Sequence, residues 1–133
     1  MIERQVEIQT QDGSMTTFEF HPEEGGPYPV VLYLMDAPSI RPALKEMASR
    51  LATAGYYVLL PFLYYRESPY MEFGASDEDM HKRRELMQGV TRERIIPDTE
   101  AMLAHAAKND KADVNGKIGA VGFCMSGPLV LGL

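Results

Sequence analysis

Apolar and polar residues alternate along the first part of the chain, and this pattern predicts a β-hairpin. Between Ile2 and Thr10, mainly apolar positions alternate with Glu and Gln, which is the period of a half-exposed strand. Asp12-Gly13 then supplies a turn, and the alternation resumes from Thr16 to Phe20. Antiparallel strands are therefore expected to open the fold.

A strand, a helix and a second strand are predicted next. Val30 to Met35 and Tyr56 to Pro61 are unbroken apolar runs, as in strands that are covered on both faces of a sheet. Between them lies a helical pattern with Pro42 near its start and Gly55 just past its end. Its apolar residues at helical spacing are Leu44, Met47, Ala48 and Leu51. This order predicts a βαβ unit with parallel strands and a right-handed crossover.

The second half of the chain continues the α/β pattern. Residues 62–75 are rich in aromatics without a clear period and indicate an irregular loop, a kind of segment that often carries specificity. A charged helix is predicted from an N-cap at Ser76 to near Gly89, and a further helix is predicted to begin at Pro97. After a turn at Asn115-Gly116, residues 117–121 are typical of a third parallel strand.

Composition narrows the classes of function. The 133 residues amount to a single domain, and a net charge of −6 argues against nucleic acid or an anionic membrane as partner. The charged N-terminal residues do not resemble a secretory signal, and no apolar run approaches the roughly 20 residues that cross a bilayer. We therefore expect a cytoplasmic protein that acts on a small molecule. The single cysteine excludes an intrachain disulfide, and neither a metal nor a cofactor is expected.

That cysteine stands in a nucleophile elbow, the sharp turn between a strand and a helix that presents a reactive side chain. The segment is Gly122-Phe123-Cys124-Met125-Ser126-Gly127, and it follows the predicted third strand. Gly122 and Ser126 are small enough to let strand and helix approach each other. The N-terminus of the following helix favours a thiolate at Cys124, and the Met125 amide can donate to an oxyanion.

Other interpretations of Cys124 stay open at this point. A Gly-rich strand end beside a buried, inert cysteine occurs in many α/β domains without catalysis. A thiol redox sensor is a second alternative, with Cys124 oxidised and no resolving cysteine in the chain. A third is a scaffold or interaction fragment without a complete catalytic triad.

The sequence resembles the dienelactone hydrolase family over essentially its whole length. The most specific match is the segment from Asn115 to Gly127, which is similar to the family's turn, strand and elbow. Supporting matches are the Asp12-Gly13 hairpin, Pro29-Val30-Val31, Ala54-Gly55-Tyr56 and Pro61-Phe62-Leu63-Tyr64, the last with Phe62 where the family has Asp.

This resemblance implies a fold and an activity. The fold would be the N-terminal half of an α/β-hydrolase, with a mostly parallel sheet opened by an antiparallel hairpin and helices on both faces. Residues 1–133 would form a single, incomplete domain. The activity would be hydrolysis of a small ester or lactone through a Cys, His, Asp triad, with Cys124 as nucleophile.

The resemblance also assigns roles to residues near the nucleophile. Asp36 matches a Glu that contacts the resting thiol in the family, and it is one methylene shorter. Ala37 matches the residue that gives the second oxyanion amide, beside that of Met125. An Arg on the charged helix binds the substrate carboxylate in the family, and Arg84 is favoured over Lys82 and Arg83 because it precedes Glu85 in a family-like pair. A solvated basic face is the alternative for all three.

The chain ends at Leu133, nine residues after Cys124, so the family's acid and base are expected downstream of it. His21, His81 and His105 all precede the nucleophile. His21 and His105 are expected to be solvated, and nothing in the sequence orients His81 as a base. An open edge on the strand before Cys124 would invite pairing with a second copy, which predicts a homo-oligomer formed through this edge.

Overall fold

The computed structural model describes residues 1–36 and 38–122. It begins with the predicted hairpin, in which β1 (Ile2–Thr10) pairs antiparallel with β2 (Gly13–His21). Gly13 is the first residue of β2 and has a φ of +141°, a backbone conformation in which a residue with a side chain would be strained. β1 is half-exposed, as its alternation predicts. β2 differs, because from Met15 onward it is buried on both faces.

The predicted βαβ unit is confirmed. β3 (Tyr28–Leu34) and β4 (Tyr57–Pro61) are parallel neighbours, and α1 (Pro42–Thr53) connects them. Pro42 occupies the first turn, where its missing N–H costs nothing, and Gly55 ends the helix at a φ of +109°. The buried stripe of α1 is Leu44, Ala48 and Ala52. Met47 was expected on that stripe, which is wrong, since it is 48% exposed.

Two helices follow β4. α2 (Asp77–Met87) is capped by Ser76, whose side chain accepts from the Asp79 amide, as predicted. α3 (Arg92–Ala106) begins five residues before the predicted start at Pro97, so that boundary is wrong. Thr91 caps α3 through the Arg94 amide, and Pro97 lies inside the helix.

The last described strands both lie along β3. β5 (Ala112–Asp113) pairs with its first residues, and β6 (Gly119–Gly122) pairs with Val31 to Leu34, both in parallel. The predicted third parallel strand is therefore confirmed, although it starts two residues later than expected. In the part of the chain that the structure describes, β6 pairs only with β3. Association of its other side with a second chain stays a prediction.

The sheet is mixed, in the order β1-β2-β4-β3, with β5 and β6 beyond β3. α1 packs against β2 and β4, whereas α3 packs against β1. Neighbouring residues of β2 identify the two faces: Lys45 of α1 lies over the Phe18 ring, and His105 of α3 contacts Glu19. The helices therefore cover opposite faces, as predicted. The carboxyl ends of β3, β4 and β6 meet at one edge, where open α/β sheets place their sites.

Candidate active site at the carboxyl edge of the sheet

Asp36 lies two residues past the end of β3 and forms a two-pronged ion pair with Arg41. Arg41 Nη1 is 2.7 Å from Asp36 Oδ1, and Nη2 is 3.0 Å from Oδ2. The Asp36 side chain is 16% exposed and that of Arg41 is 36% exposed, so the pair stands at the surface of the edge. The hydrogen bond to Asp36 raises the pKa of the Arg41 guanidinium, and the charge of Asp36 adds to this rise against the effect of burial. Arg41 thus partly neutralises the carboxylate.

A tight turn holds this pair in place. The Ser39 amide donates to the Asp36 carbonyl at 2.9 Å, and the Ser39 carbonyl accepts from Arg41 Nη1 at 2.9 Å. Ser39 has a φ of +69°, and its buried hydroxyl lies 3.1 Å from Met35 Sδ. Pro42 follows directly and starts α1, which fixes the direction of the chain after Arg41. Arg41 was not predicted as a site residue, although it precedes a helix-starting proline and follows Asp36 by five residues.

The Tyr33 phenol is sensitive to both charges of the pair. Burial raises the pKa of Tyr33, the negative charge of Asp36 raises it further, and Arg41 opposes the rise. Tyr33 is only 3% exposed. The edge is therefore a partly apolar environment in which charges interact more strongly than in water.

The segment after β4 borders the same edge. The Leu63 amide lies 3.5 Å from Met35 Sδ, so this segment reaches the end of β3. Phe62, which replaces the Asp of the family pattern, is fully buried. Its ring contacts those of Tyr64 and Tyr70 edge-on, at centroid distances of 5.8 Å and 5.2 Å. The predicted irregular loop is confirmed, and its aromatic side chains pack inward.

A buried ion pair anchors this loop to α3. Arg66 donates to both carboxylate oxygens of Asp98, at 2.9 Å and 3.0 Å, and Tyr65 donates to Asp98 at 2.6 Å. The Arg66 side chain is 10% exposed and that of Asp98 only 2%. Arg66 also reaches Asp12 in the hairpin turn at 2.8 Å. The loop is thus attached at two points, which limits how far it can move relative to the edge.

The three basic residues of α2 differ in their surroundings. Arg84, the predicted carboxylate-binding residue, is exposed. Lys82 and Arg83 are half-buried, and Lys82 Nζ lies 3.5 Å from Met71 Sδ in the loop. The choice among the three stays a prediction.

The other predicted site residues, Cys124, Met125 and Ala37, lie outside the described residues. The last described pairing before Cys124 is that of Gly122 with Leu34. Asp36 follows Leu34 by two residues, and Cys124 follows Gly122 by two residues. The described strands therefore bring the chain segments that precede these two residues side by side.

The histidines do not behave as the sequence analysis expected. His21 was expected to be solvated, which is wrong because it is 4% exposed. His105 is held by the buried carboxylate of Glu19 at 3.0 Å, so a solvated role is wrong there too. The alternation of apolar and polar residues in β2 predicts that Glu19 faces solvent, whereas α3 covers that face of the sheet. His81 is exposed and lies 3.0 Å from Glu85 on its own helix.

Among the described residues, no group of His, Cys, Asp and Glu side chains is arranged to hold a metal ion. No described helix is both long and apolar enough to span a bilayer.

Comparison with known proteins identifies the family. The family model for "Dienelactone hydrolase family" matches residues 15–133. A carboxymethylenebutenolidase from Pseudomonas putida is 28% identical over 130 residues, which cover 97% of this chain and 54% of that protein. One from Pseudomonas sp. strain P51 is 30% identical over 102 residues, covering 76% of this chain and 42% of that protein.

A solved structure shows the same fold. The crystal structure of dienelactone hydrolase from Anabaena variabilis is similar with a TM-score of 0.66 at 20% identity, covering 98% of this chain and 55% of that one. The chain spans about half the length of the curated relatives that it matches. The family-model match, which extends from the middle of the first hairpin through the elbow segment, shows that this chain belongs to the dienelactone hydrolase family.

Proposed function

We propose that this chain carries the nucleophile of a hydrolase that cleaves a small ester or lactone by acyl transfer to Cys124. The pairing of β3 with β6 carries the proposal. Because Asp36 and Cys124 each follow the paired residues Leu34 and Gly122 by two positions, a continued parallel register would set the carboxylate beside the thiol. This is the carboxyl edge at which α/β sheets bind their ligands.

In the proposed reaction, the Cys124 thiolate attacks the ester carbonyl carbon. A C–S bond forms, the C–O bond to the alcohol breaks, and the leaving alkoxide takes a proton. Water then hydrolyses the thioester and releases the acid. The backbone amides of Met125 and Ala37 would stabilise the oxyanion, a contribution worth about 3–4 kcal/mol per donor in enzymes that use such a site.

We infer the substrate class from the relatives' names and from the basic residues of α2. The name carboxymethylenebutenolidase denotes an enzyme that acts on a carboxymethylenebutenolide, which is a lactone that carries a carboxylate. Arg84 is the proposed partner of such a carboxylate. Arg41 already pairs with Asp36 at the edge, so a second cation is needed for the substrate.

The experiment is to incubate the chain with a chromogenic acetate ester, measuring dye release and intact mass. We expect a burst of one equivalent and a mass increase of one acetyl group, followed by a rate close to background. The reason is that no histidine follows Cys124 in this chain, and a positioned base contributes about 10²–10⁴-fold.

Cys124→Ala should abolish both the burst and the adduct, whereas Ser126→Ala, which removes a hydroxyl from the same elbow, should keep both. An adduct that persists in Cys124→Ala would refute the assignment of the nucleophile. Sustained turnover that depends on Cys124 would show that an upstream group acts as base.

A further inference from the structure

A polar cavity lies at the edge of the sheet opposite the candidate active site, where the parallel strands begin. Its volume is about 500 Å³, within the range of small-molecule sites. It opens between the β1–β2 hairpin and the C-terminal end of α3. Its lining residues are Arg4, Val6, Glu19, His21, His105, Lys108, Asn109, Asp110 and Lys111.

The carboxylate of Glu19 in this cavity is already fully engaged. It accepts from Arg4 Nη2 at 2.8 Å, from Asn109 at 3.4 Å, and from the Tyr57 hydroxyl, and His105 Nε2 lies 3.0 Å away. The Glu19 side chain is 2% exposed. Because Arg4 neutralises it and polar groups surround it, Glu19 does not make the cavity attractive to a cation.

The remaining charges of the lining favour an anion. Lys108 and Lys111 oppose a single carboxylate, that of Asp110. Lys111 Nζ is oriented by the Gly25 carbonyl at 2.7 Å, and Lys108 has no acidic partner within 4 Å among the residues described here. Two lysines that line one concave surface concentrate positive potential there.

The His21 side chain borders the same cavity. Its ring is 4% exposed, stacks on Tyr57 at 5.7 Å and holds the Pro22 carbonyl through Nδ1 at 2.8 Å. A carbonyl only accepts, so Nδ1 carries the proton and Nε2 is an acceptor in the neutral ring. Within the described structure, the buried Nε2 has no hydrogen-bond partner. Such a group calls for a donor, because a buried acceptor without a hydrogen-bond partner is destabilising.

We propose that this cavity binds a small anion that also carries a hydroxyl, such as a hydrogen phosphate group. Lys108 and Lys111 would hold the charged oxygens, and a small movement of the His21 ring, whose Nε2 is covered in this structure, would let the hydroxyl donate to that atom. The proposal is independent of the reaction at Cys124, because the cavity is at the amino edge of the strands and Asp36 is at the carboxyl edge.

The test is titration of the chain with inorganic phosphate at constant ionic strength near pH 7, followed by the ring proton signals of His21 and His105 in NMR. We expect a saturable shift of both rings. The Lys108→Gln/Lys111→Gln double variant should weaken binding about a hundredfold or more, since the loss of each charge-assisted bond weakens binding about tenfold or more. Lys117→Gln, which removes a lysine outside the cavity, should leave the affinity unchanged.

Sulfate is the control ligand, because it has the shape of phosphate and a similar charge but no hydroxyl at this pH. It should bind several-fold more weakly than phosphate, and His21→Phe, which keeps a ring but has no hydrogen-bond acceptor, should remove that preference. Shifts that never saturate, or an affinity that the double variant retains, would overturn the proposal. So would a double variant that loses thermal stability with unchanged phosphate affinity, because the lysines would then serve only the C-terminal end of α3.

Discussion

At the scale of single residues, the pairing of Asp36 with Arg41 changes how strongly the Asp36 carboxylate would shift the pKa of a neighbouring thiol. A free carboxylate disfavours a nearby thiolate, whereas a guanidinium favours it. Here the two groups are joined by two hydrogen bonds, so their effects on a neighbour partly cancel. Substituting each partner separately should therefore move a nearby thiol pKa in opposite directions.

We expect Asp36→Asn to lower the pKa of the Cys124 thiol and Arg41→Gln to raise it. The wild-type value should itself lie below the ordinary value of about 8.5, given the predicted helix N-terminus after Cys124. The measurement is the rate of alkylation of Cys124 as a function of pH, which is unambiguous because the chain has one cysteine.

Glu46→Gln is the control, since Glu46 forms an exposed ion pair with Arg50 on α1, and it should leave the alkylation profile unchanged. If both edge substitutions shifted the midpoint in the same direction, or neither shifted it, Asp36 would not be a neighbour of the thiol. The proposed placement would then have to be abandoned.

Residue-scale features were the hardest to predict from sequence. The Asp36–Arg41 pair depends on the turn at Ser39, whose positive φ is not typical of serine. The burial of Glu19 depends on α3 covering a face that alternation alone marks as open. In both cases the decisive contact depends on how two elements are placed relative to each other. Local sequence patterns do not predict that placement.

At the scale of elements, α3 shows why local signals mislead. The sequence predicts a helix start at Pro97, because proline is common in the first turn. The structure starts α3 at Arg92, and the Ile95 side chain is 1% exposed before the proline is reached. The cap at Thr91 and the burial of Ile95 therefore outweigh the hydrogen bond that Pro97 removes.

Pro97→Ala should stabilise the chain, because it restores an amide that can donate to the Glu93 carbonyl and relieves the clash of the ring with the preceding turn. The gain should be about 1 kcal/mol or more, up to the roughly 3 kcal/mol by which proline is disfavoured inside a helix. Urea denaturation measures this gain in the free energy of unfolding.

A matched Ile96→Ala substitution at the neighbouring, 45% exposed position should change the free energy of unfolding little. A less stable Pro97→Ala variant would show that the proline ring or a bend at Pro97 is needed for packing against the sheet.

The strands were predicted better than the helix boundaries. β3 and β4 are continuous apolar runs because both faces of the sheet are covered there, and that pattern is local. β6 contributes four residues, two of them glycines, and was predicted mainly from the turn before it and the elbow after it. Strong periodicity thus predicted the elements, whereas their ends depended on caps and tertiary contacts.

At the scale of the whole molecule, two buried carboxylates connect α3 with the rest of the described structure. Asp98 joins α3 to the loop after β4 through Arg66 and Tyr65. Glu19 joins four elements, since Arg4 is in β1, Glu19 in β2, Tyr57 in β4 and His105 in α3. The packing of α3 on its face of the sheet therefore depends on charge as well as on apolar burial.

The stability of the chain should fall in acid through Glu19. Burial would raise the pKa of Glu19, but the hydrogen bonds with Tyr57 and His105 and the charge of Arg4 outweigh it and hold the pKa below the ordinary value of 4.5. A carboxyl whose pKa is lower in the folded state contributes stability above its unfolded pKa and loses it as pH falls through the folded value. Glu19→Gln removes this titration, and at neutral pH it should cost roughly 3 kcal/mol because Arg4, Tyr57 and His105 lose their charged partner.

The measurement is the free energy of unfolding in urea for the wild type and for Glu19→Gln, between about pH 7 and pH 3, the range that spans the ordinary carboxyl pKa. The difference between the two proteins should be largest near neutrality and should shrink below pH 4.5, the ordinary pKa of the Glu19 carboxyl. Glu3→Gln, at an exposed position of β1, should track the wild type at every pH. A difference for Glu19→Gln that stayed constant down to pH 3 would mean that the Glu19 carboxyl has the same pKa in the folded and the unfolded chain. The acid sensitivity would then have to come from other carboxylates of the chain.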